Sequence, residues 1–482
     1  MAPRPASPFR LGLLLLLSLL LVGAGCAPRN FREELETRIG EEWSVWSVAS
    51  HSSPMGCRTA YLLFNRGASR FSVTAGGRRG AEHDFIPLEL PILSPDGRRA
   101  AYAARDGDRW RVLVDHWPLL SCDALGGLRF SPDGRRLACS ARRKDKWFVS
   151  VDGESGPDYD ALAAPLFSPD SRRLAFVACA GGQWLVVLDG QVLDRRQAVA
   201  PDTLVFSPDG RRLAYVARNG DRWCVAVNGL AGEEYDAVRP EAPVFSSEGR
   251  LAYAARRGAK WFAVLDGRAG AEYDEVSRPW FSPDGRRFAC LAGKYVAGGR
   301  KRFLVLDGRE GPEFDAVAGA VFSPDGLRFA YAARRGDKWT VVADGHPGAE
   351  HDETGPPCFS PDGRRLAYVA VEGERFRVVL DGRPGPERDE IPRPAVAFSA
   401  DGRRIAYLAR TARRSEKSGE DGRTKAAVFG RPFVVVETDG EVRESVTSRE
   451  YDAIDGGPVF RDDGTLEFIG RRDGSVYRVT AR

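Results

Sequence analysis

Histidine and methionine are scarce in this 482-residue chain, with five of the first and two of the second. His51, His83, His116, His346 and His351 are scattered; only the last two are close, flanking a Pro-Gly turn without a third donor, so no metal site is expected. The eight cysteines include no CxxC pair, which removes the usual zinc and dithiol spacings. No GxSxG, HExxH, P-loop or GxGxxG ahead of a helix occurs, so no catalytic residue and no cofactor is assigned. Charge of one sign is also lacking: 71 basic and 67 acidic residues give a net +4. That balance lacks the concentrated basic footprint of a nucleic-acid binder. Helical periodicity is almost absent as well, and only residues 30–42 (NFREELETRIGEE) carry a pattern from which a short helix is expected.

The first 25 residues read as a targeting segment. Arg4 and Arg10 precede a twelve-residue apolar run, Leu11 to Val22, which is too short for the ~20 residues a spanning helix needs. Small residues then lead into Cys26. The VGAGC ending resembles a bacterial lipoprotein signal, which implies a lipid on Cys26 and a place in the bacterial cell envelope, periplasmic or on the outer surface. An ordinary cleaved secretion signal is the alternative. Residues 26–42 are then expected to be a lipidated N-terminus and linker. The other cysteines, Cys57, Cys122, Cys139, Cys179, Cys224, Cys290 and Cys358, are odd in number; Cys139 and Cys290 replace a Tyr or Phe of other copies and read as small apolar core residues.

What is abundant is repetition. The phrase FSPDGRRLAYVARNGDRW at Phe206 recurs as FSPDGRRLACSARRKDKW at Phe130 and FSPDGLRFAYAARRGDKW at Phe322. Marked by the serine of SPDG, copies stand at Ser94, Ser131, Ser168, Ser207, Ser246, Ser282, Ser323, Ser360 and Ser399, with steps between 36 and 41 residues. A degraded copy surrounds Arg461 and another begins at Ser53, giving about eleven modules over 43–482. A period of ~38 matches a four-stranded propeller blade. Ser-Pro-Asp-Gly is turn chemistry. LAYVAR is a strand apolar on both faces, and WxVxVDG is a strand closing on an Asp-Gly turn. The expected fold is all-β, a β-propeller of about eleven four-stranded blades, in one large ring or two adjoining rings.

FSPDGRRLAY followed by an aromatic and VVLDG resembles the TolB-type, WD-repeat-like propeller blade, over about nine-tenths of the chain. The resemblance implies an extracytoplasmic propeller that binds other molecules. TolB carries an α/β domain ahead of its propeller, whereas about 17 residues separate Cys26 from the first strand here, so TolB's role in envelope energy transduction is not implied.

Several residue sets invite a chemical reading. Trp110, Trp147, Trp184, Trp223, Trp261 and Trp339 open the third strands and read as packing between blades rather than a sugar-binding ladder. Asp84, Asp123, Asp160, Asp236, Asp274, Asp315, Asp352, Asp389 and Asp452 hold one position in a short fourth strand. They read as structural, paired with the Arg-Arg after SPDG, since equivalent carboxylates around a ring cannot form an acid–base pair. Variation concentrates between strands two and three, at Arg142, Arg143, Lys144, Arg256, Arg257, Arg300, Lys301, Arg302, Arg334 and Arg335, with an insertion at 411–432 that carries Arg413 and Arg414. Variable loops on a rigid scaffold are where binding resides, so these are the candidate partner-binding loops. The expectation is a non-enzymatic, membrane-anchored binding or scaffold module with a protein or glycan partner and no nucleic acid. The alternatives are a glycan-active lyase or hydrolase, or a gating propeller for a separately encoded hydrolase.

Overall fold

The Ser-Pro-Asp-Gly tetrapeptides fold as their residues require. In the copy at Ser131 the buried hydroxyl donates to Asp133 at 2.5 Å, the Arg136 amide donates back to that hydroxyl at 2.9 Å, and Gly134 closes the turn at φ 71°. A Cβ at Gly134 would stand 3.1 Å from Asp96 of the preceding copy, so glycine is needed for contact as well as conformation. The turn joins a short inner strand to a second strand such as Leu213–Asn219, whose first five residues are all buried. A third strand, Arg222–Val227, pairs with it, then an Asn228-Gly229 turn with both residues at positive φ leads to the outer strand Leu230–Tyr235.

The computed structural model describes residues 31–481 apart from 39–42, 54–55, 88–90, 242, 298, 393–395, 414–427, 430, 439–445, 449, 462 and 473–474. These residues form eleven antiparallel four-stranded blades, numbered here from the N-terminus, with a two-stranded hairpin attached to blade 10. In blades 4 to 7 and 9 the inner strand is in two pieces. In blade 4 the break is Ala163-Ala164-Pro165, between Ala161–Leu162 and Leu166–Phe167. No α-helix occurs among the described residues.

Apolar clusters bridge successive blades. Tyr215 and Cys224 of blade 5 pack against Val177 and Val186 of blade 4, and Tyr253 and Phe262 of blade 6 against Val216 and Tyr235 of blade 5. The series closes on itself. Trp43, Tyr61 and Leu63 of blade 1 form one cluster with Ile469 and Val476 of blade 11. There is therefore one ring of eleven blades, and the two-ring alternative is set aside.

Closure also corrects the reading of the N-terminal segment. Phe31–Arg38 is a strand, the outer strand of blade 11, antiparallel to Ser475–Ala481 with Phe31 opposite Ala481 and Arg38 opposite Ser475. Isolated short helices are marginal in water. An open edge at Ser475–Ala481 offers a full ladder of hydrogen bonds, and tertiary pairing overrides the local pattern. The expected linker at 26–42 thus contains part of the propeller. The targeting segment and Cys26 lie outside the described residues.

Acid should unfold this ring steeply. Asp96, Asp133, Asp170, Asp209, Asp284, Asp325, Asp362 and Asp401 are held below the ordinary carboxylate value of 3.8, first by the serine hydroxyl and then by the backbone N–H two residues on. A depressed folded pKa contributes stability that is complete above the unfolded value and is lost as pH falls through the folded one. Urea midpoints should therefore be flat from about pH 7 to 5 and drop sharply below about pH 4. A midpoint that declined evenly across neutral pH would contradict this assignment.

Candidate functional site

The ring has two faces. One carries the SPDG turns and the Asp-Gly turns between third and outer strands; the other carries the hairpins between second and third strands and the crossovers to the next blade. The candidate partner-binding residues of blades 3, 6, 7 and 8 all lie on this hairpin face, as the repeat implies. Most of their charge is engaged there. Arg142, Arg256 and Arg334 lie across Trp147, Trp261 and Trp339 of the facing strand, each 5.9 Å from the ring centroid. This arrangement leaves those tryptophans half-buried under an arginine. Arg143 reaches Asp158 at 3.7 Å and covers Phe148; Arg257 pairs with Glu233; Arg335 covers Phe314. Lys301 pairs with Asp315 at 2.6 Å, while Arg300 and Arg302 converge on Glu275. Lys144 takes a left-handed conformation at the hairpin tip, where its amide donates to Asp123 at 2.6 Å. Arg413 belongs to the short strand Ala412–Arg413, paired with Val428–Phe429, and Arg414 lies outside the described residues with most of 411–432.

The repeated aspartates are structural, but their partners differ from the expected ones. Asp160 stands at the crossover between the outer strand of blade 3 and the inner strand of blade 4, not inside a fourth strand. One oxygen accepts from Lys146, which opens the third strand of blade 3; the other accepts the Gly181 N–H of the blade 4 hairpin at 2.8 Å. Asp315 with Lys301 and Gly336, and Asp352 with Lys338 and Gly373, repeat the arrangement at 2.6–2.7 Å. Each clamps two blades on the hairpin face. The lysine hydrogen bond, first of the causes, holds Asp160 and Asp315 below the ordinary range.

On the turn face the arginine five residues after the repeat serine does the corresponding work. Arg173 donates to Asp189 at 3.0 Å within its own blade. Arg328 does so to Asp344 at 2.8 Å and also donates to the Arg364 carbonyl of the next blade at 2.7 Å. It lies 5.2 Å from the Phe359 ring of that blade. The arginine expected to pair with the crossover aspartate is thus on the opposite face from it.

Sequence reasoning did not foresee the clefts between blades. One of about 800 Å³ opens between blades 6 and 7, with Leu265, Tyr273, Phe288, Cys290 and Val305 lining it and Arg250, Arg268, Asp266 and Asp307 at its rim. A second, of about 440 Å³, occupies the equivalent place between blades 3 and 4. In both the outer strand of the earlier blade is two residues long, Arg268–Ala269 or Glu154–Ser155, and leaves the next blade's flank uncovered. Where the outer strand is six residues long, as Gln191–Arg196 in blade 4, its Leu193 packs against the next blade instead. The glycine three residues after the turn's own glycine does not foretell this: Gly270 follows a two-residue outer strand, whereas Gly232 and Gly348 at the same place lie inside strands of six residues. The rim carboxylates are bonded to arginine: Asp266 to Arg250 at 3.1 Å and Asp307 to Arg287 at 3.1 Å. Burial raises the Cys290 thiol to about 12, which keeps it protonated in its cleft at neutral pH.

The two paired histidines do not converge. His346 is exposed at the start of the blade 8 outer strand, and His351 is buried at its far end, 3.2 Å from Glu372. Cys122, Cys139, Cys179, Cys224, Cys290 and Cys358 are free thiols, with Cys139 and Cys290 buried as expected for small apolar residues.

No known family model matches this chain, and no curated protein matches it either. Solved structures similar to it include a eukaryotic initiation factor, 11% identical over 84% of this chain and 96% of that one, with a TM-score of 0.42. The β-propeller domain of the Trilobed protease from Pyrococcus furiosus is 11% identical over 59% and 96%, with a TM-score of 0.25. TolB from Acinetobacter baumannii is 15% identical over 71% and 78%, with a TM-score of 0.21. Likenesses this distant say nothing of activity or partner.

Proposed function

We propose that this chain is a membrane-anchored scaffold of the bacterial cell envelope, which holds a protein or glycan partner on the hairpin face of its propeller. The observation that carries the reading is blade 7. Its second and third strands, Phe288–Val296 and Gly299–Leu306, are nine and eight residues long where blade 8 has seven and six. The hairpin therefore projects beyond its neighbours and carries Tyr295, 69% exposed, with Val296 beside it. An exposed aromatic on a rigid hairpin is a low-entropy contact residue of the kind that dominates binding energetics. The repeated side chains are engaged in clamping blades together, which leaves the departures from the repeat as the recognition surface. Binding is favoured over catalysis because the cleft aspartates Asp266, Asp307 and Asp189 are bonded to arginine and the Cys290 thiol is buried.

The test is affinity capture from envelope extracts with two baits, the native chain and one whose hairpin is cut back by removing 295–300. A partner retained by the first and lost by the second, with Tyr295→Ala weakening it about 10-fold or more, is the expected result. Equal retention by both baits would move recognition elsewhere on the ring.

A further inference from the structure

The turn face, opposite the proposed partner surface, has the chemistry of a lipid-docking surface. Three observations converge on it. First, in blades 3 to 5 the arginine four residues after the repeat serine projects from the turn, whereas Arg286 of blade 7 pairs with Glu248 of blade 6 at 3.6 Å. Arg135, Arg172 and Arg211, on the consecutive blades 3, 4 and 5, are exposed and have no ion-pair partner among the described residues. The aspartates around them are engaged: each turn aspartate accepts its serine hydroxyl and a backbone N–H, and Asp189 accepts Arg173 and the Leu174 N–H. Second, two of the most exposed large apolar side chains of this face flank the arginines, while a third, Leu327 at 71% exposed, stands apart on blade 8. Trp117 of blade 2 and Leu230 of blade 5, each 78% exposed, open their outer strands just after the turn that joins third to outer strand. Third, strand direction fixes where the N-terminal segment arrives. Leu466 and Ala481 pair beside the Asp463-Gly464 turn, and Phe31 lies opposite Ala481, so the chain enters blade 11 from the turn face.

We infer that blades 2 to 5 dock by this face on an anionic phospholipid surface, the arginines at headgroup level and Trp117 and Leu230 inserted beside them. Arginine clusters are attracted to anionic lipid, and tryptophan with leucine favours the interface. The hairpin face, with Tyr295, then points away from the membrane. The orientation, unlike the surface itself, rests on the reading of Cys26 as the lipid-bearing residue. Five residues from Cys26 to Phe31 span at most about 18 Å, a tether too short to turn the ring over.

The ring is closed by residues 31–481 alone, so the chain from Cys26 onward, made without lipid, is the test object. Its co-sedimentation is measured with vesicles of phosphatidylglycerol and phosphatidylethanolamine, and with phosphatidylcholine vesicles. Expected is salt-sensitive binding to the anionic vesicles alone. Arg172→Glu should weaken it at least about fivefold, and Arg135→Glu, Arg172→Glu and Arg211→Glu together at least about 100-fold, from roughly fivefold per arginine. Arg66→Glu on the hairpin face should change nothing, and Trp117→Ala with Leu230→Ala should weaken binding without altering the melting temperature. No binding to anionic vesicles overturns the inference, as does equal harm from Arg66→Glu. So does a soluble polyanion that competes fully while the two apolar substitutions have no effect, since the face would then be a polyanion site. The mass of Cys26 in chain recovered from membranes tests the anchor separately: a cysteine without lipid overturns the anchor reading and leaves the vesicle result to stand or fall by itself.

Discussion

A chain from which residues 27–38 are deleted is expected to lose its single melting transition and to associate through blade 11. The outer strand Phe31–Arg38 is the only part of that blade contributed from the other end of the chain, so it is what ties the first module to the last. Without it the Ser475–Ala481 strand has an open edge of unpaired N–H and C=O groups, which is a template for pairing with a second molecule. The direct loss is an eight-residue ladder, on the order of 5 kcal/mol at about 1 kcal/mol per hydrogen bond. The indirect loss is larger. In a repeat array each unit is stabilised by its neighbours, so weakening blade 11 also weakens the cluster of Trp43, Tyr61 and Leu63 with Ile469 and Val476. Thermal unfolding should then begin at blades 11 and 1 well before the rest. Size-exclusion chromatography should show dimers that a peptide of residues 31–38 disperses. A deleted chain that remained monomeric and melted as the native one does would show that closure rests on the apolar cluster alone.

How far the molecule could be read beforehand follows from where each interaction lies in sequence. The SPDG turn is local: Ser207, Asp209, Gly210 and the Arg212 amide are bonded within six residues, so the tetrapeptide spells its own geometry, and repetition spells the blade. Blade count was legible for the same reason. Ring count was not, because it depends on Trp43 meeting Ile469, a contact no local pattern encodes. FREELETR failed for a related reason: its charges suit a helix surface, and only the vacant edge of blade 11 makes it a strand. The crossover aspartates were assigned the right role and the wrong partner. Lysine 14 residues before Asp160 and arginines 12 and 13 residues after it are equally plausible cations in sequence, and the choice is made by which face of the ring each occupies. For the candidate site, the hairpin face was legible from its variability, whereas the extent of its internal pairing, Arg257 with Glu233 or Lys301 with Asp315, was not. The inter-blade clefts go with short outer strands, and no local residue tells short from long: Gly270 follows a strand of two residues, whereas Gly232 and Gly348 lie inside strands of six.

The second large effect concerns a buried ion pair that breaks the repeat. Asp194 and Arg196 sit in the long outer strand of blade 4, with side chains 11% and 16% exposed, and are 2.8 Å apart. The carboxylate also accepts the Tyr215 hydroxyl of blade 5 at 2.5 Å, and Arg196 donates to the Gly229 carbonyl of the same blade at 3.2 Å. Three groups from two blades thus satisfy one another where the interfaces of blades 3 with 4 and 6 with 7 leave a cleft. Asp194→Ala removes the group common to both partners, leaving the phenol without an acceptor and a half-enclosed guanidinium with the Gly229 carbonyl but no counter-charge, and should cost about 3–5 kcal/mol. Tyr215→Phe removes only one donor, since Asp194 keeps Arg196, and should cost about 1 kcal/mol. Removing the charge problem altogether gives the decisive comparison. Asp194→Leu with Arg196→Met fills similar volume with apolar groups and should be more stable than Asp194→Ala, because a buried pair replaced as a unit is often neutral. Urea midpoints of the three variants, read against the native chain, give the order: Tyr215→Phe closest to native, then the apolar double variant, which leaves the buried Tyr215 hydroxyl without its acceptor, with Asp194→Ala lowest. If the double variant fell as far as Asp194→Ala, the pair would be supplying shape rather than answering an unpaired charge, and the tyrosine would be the residue that joins blades 4 and 5.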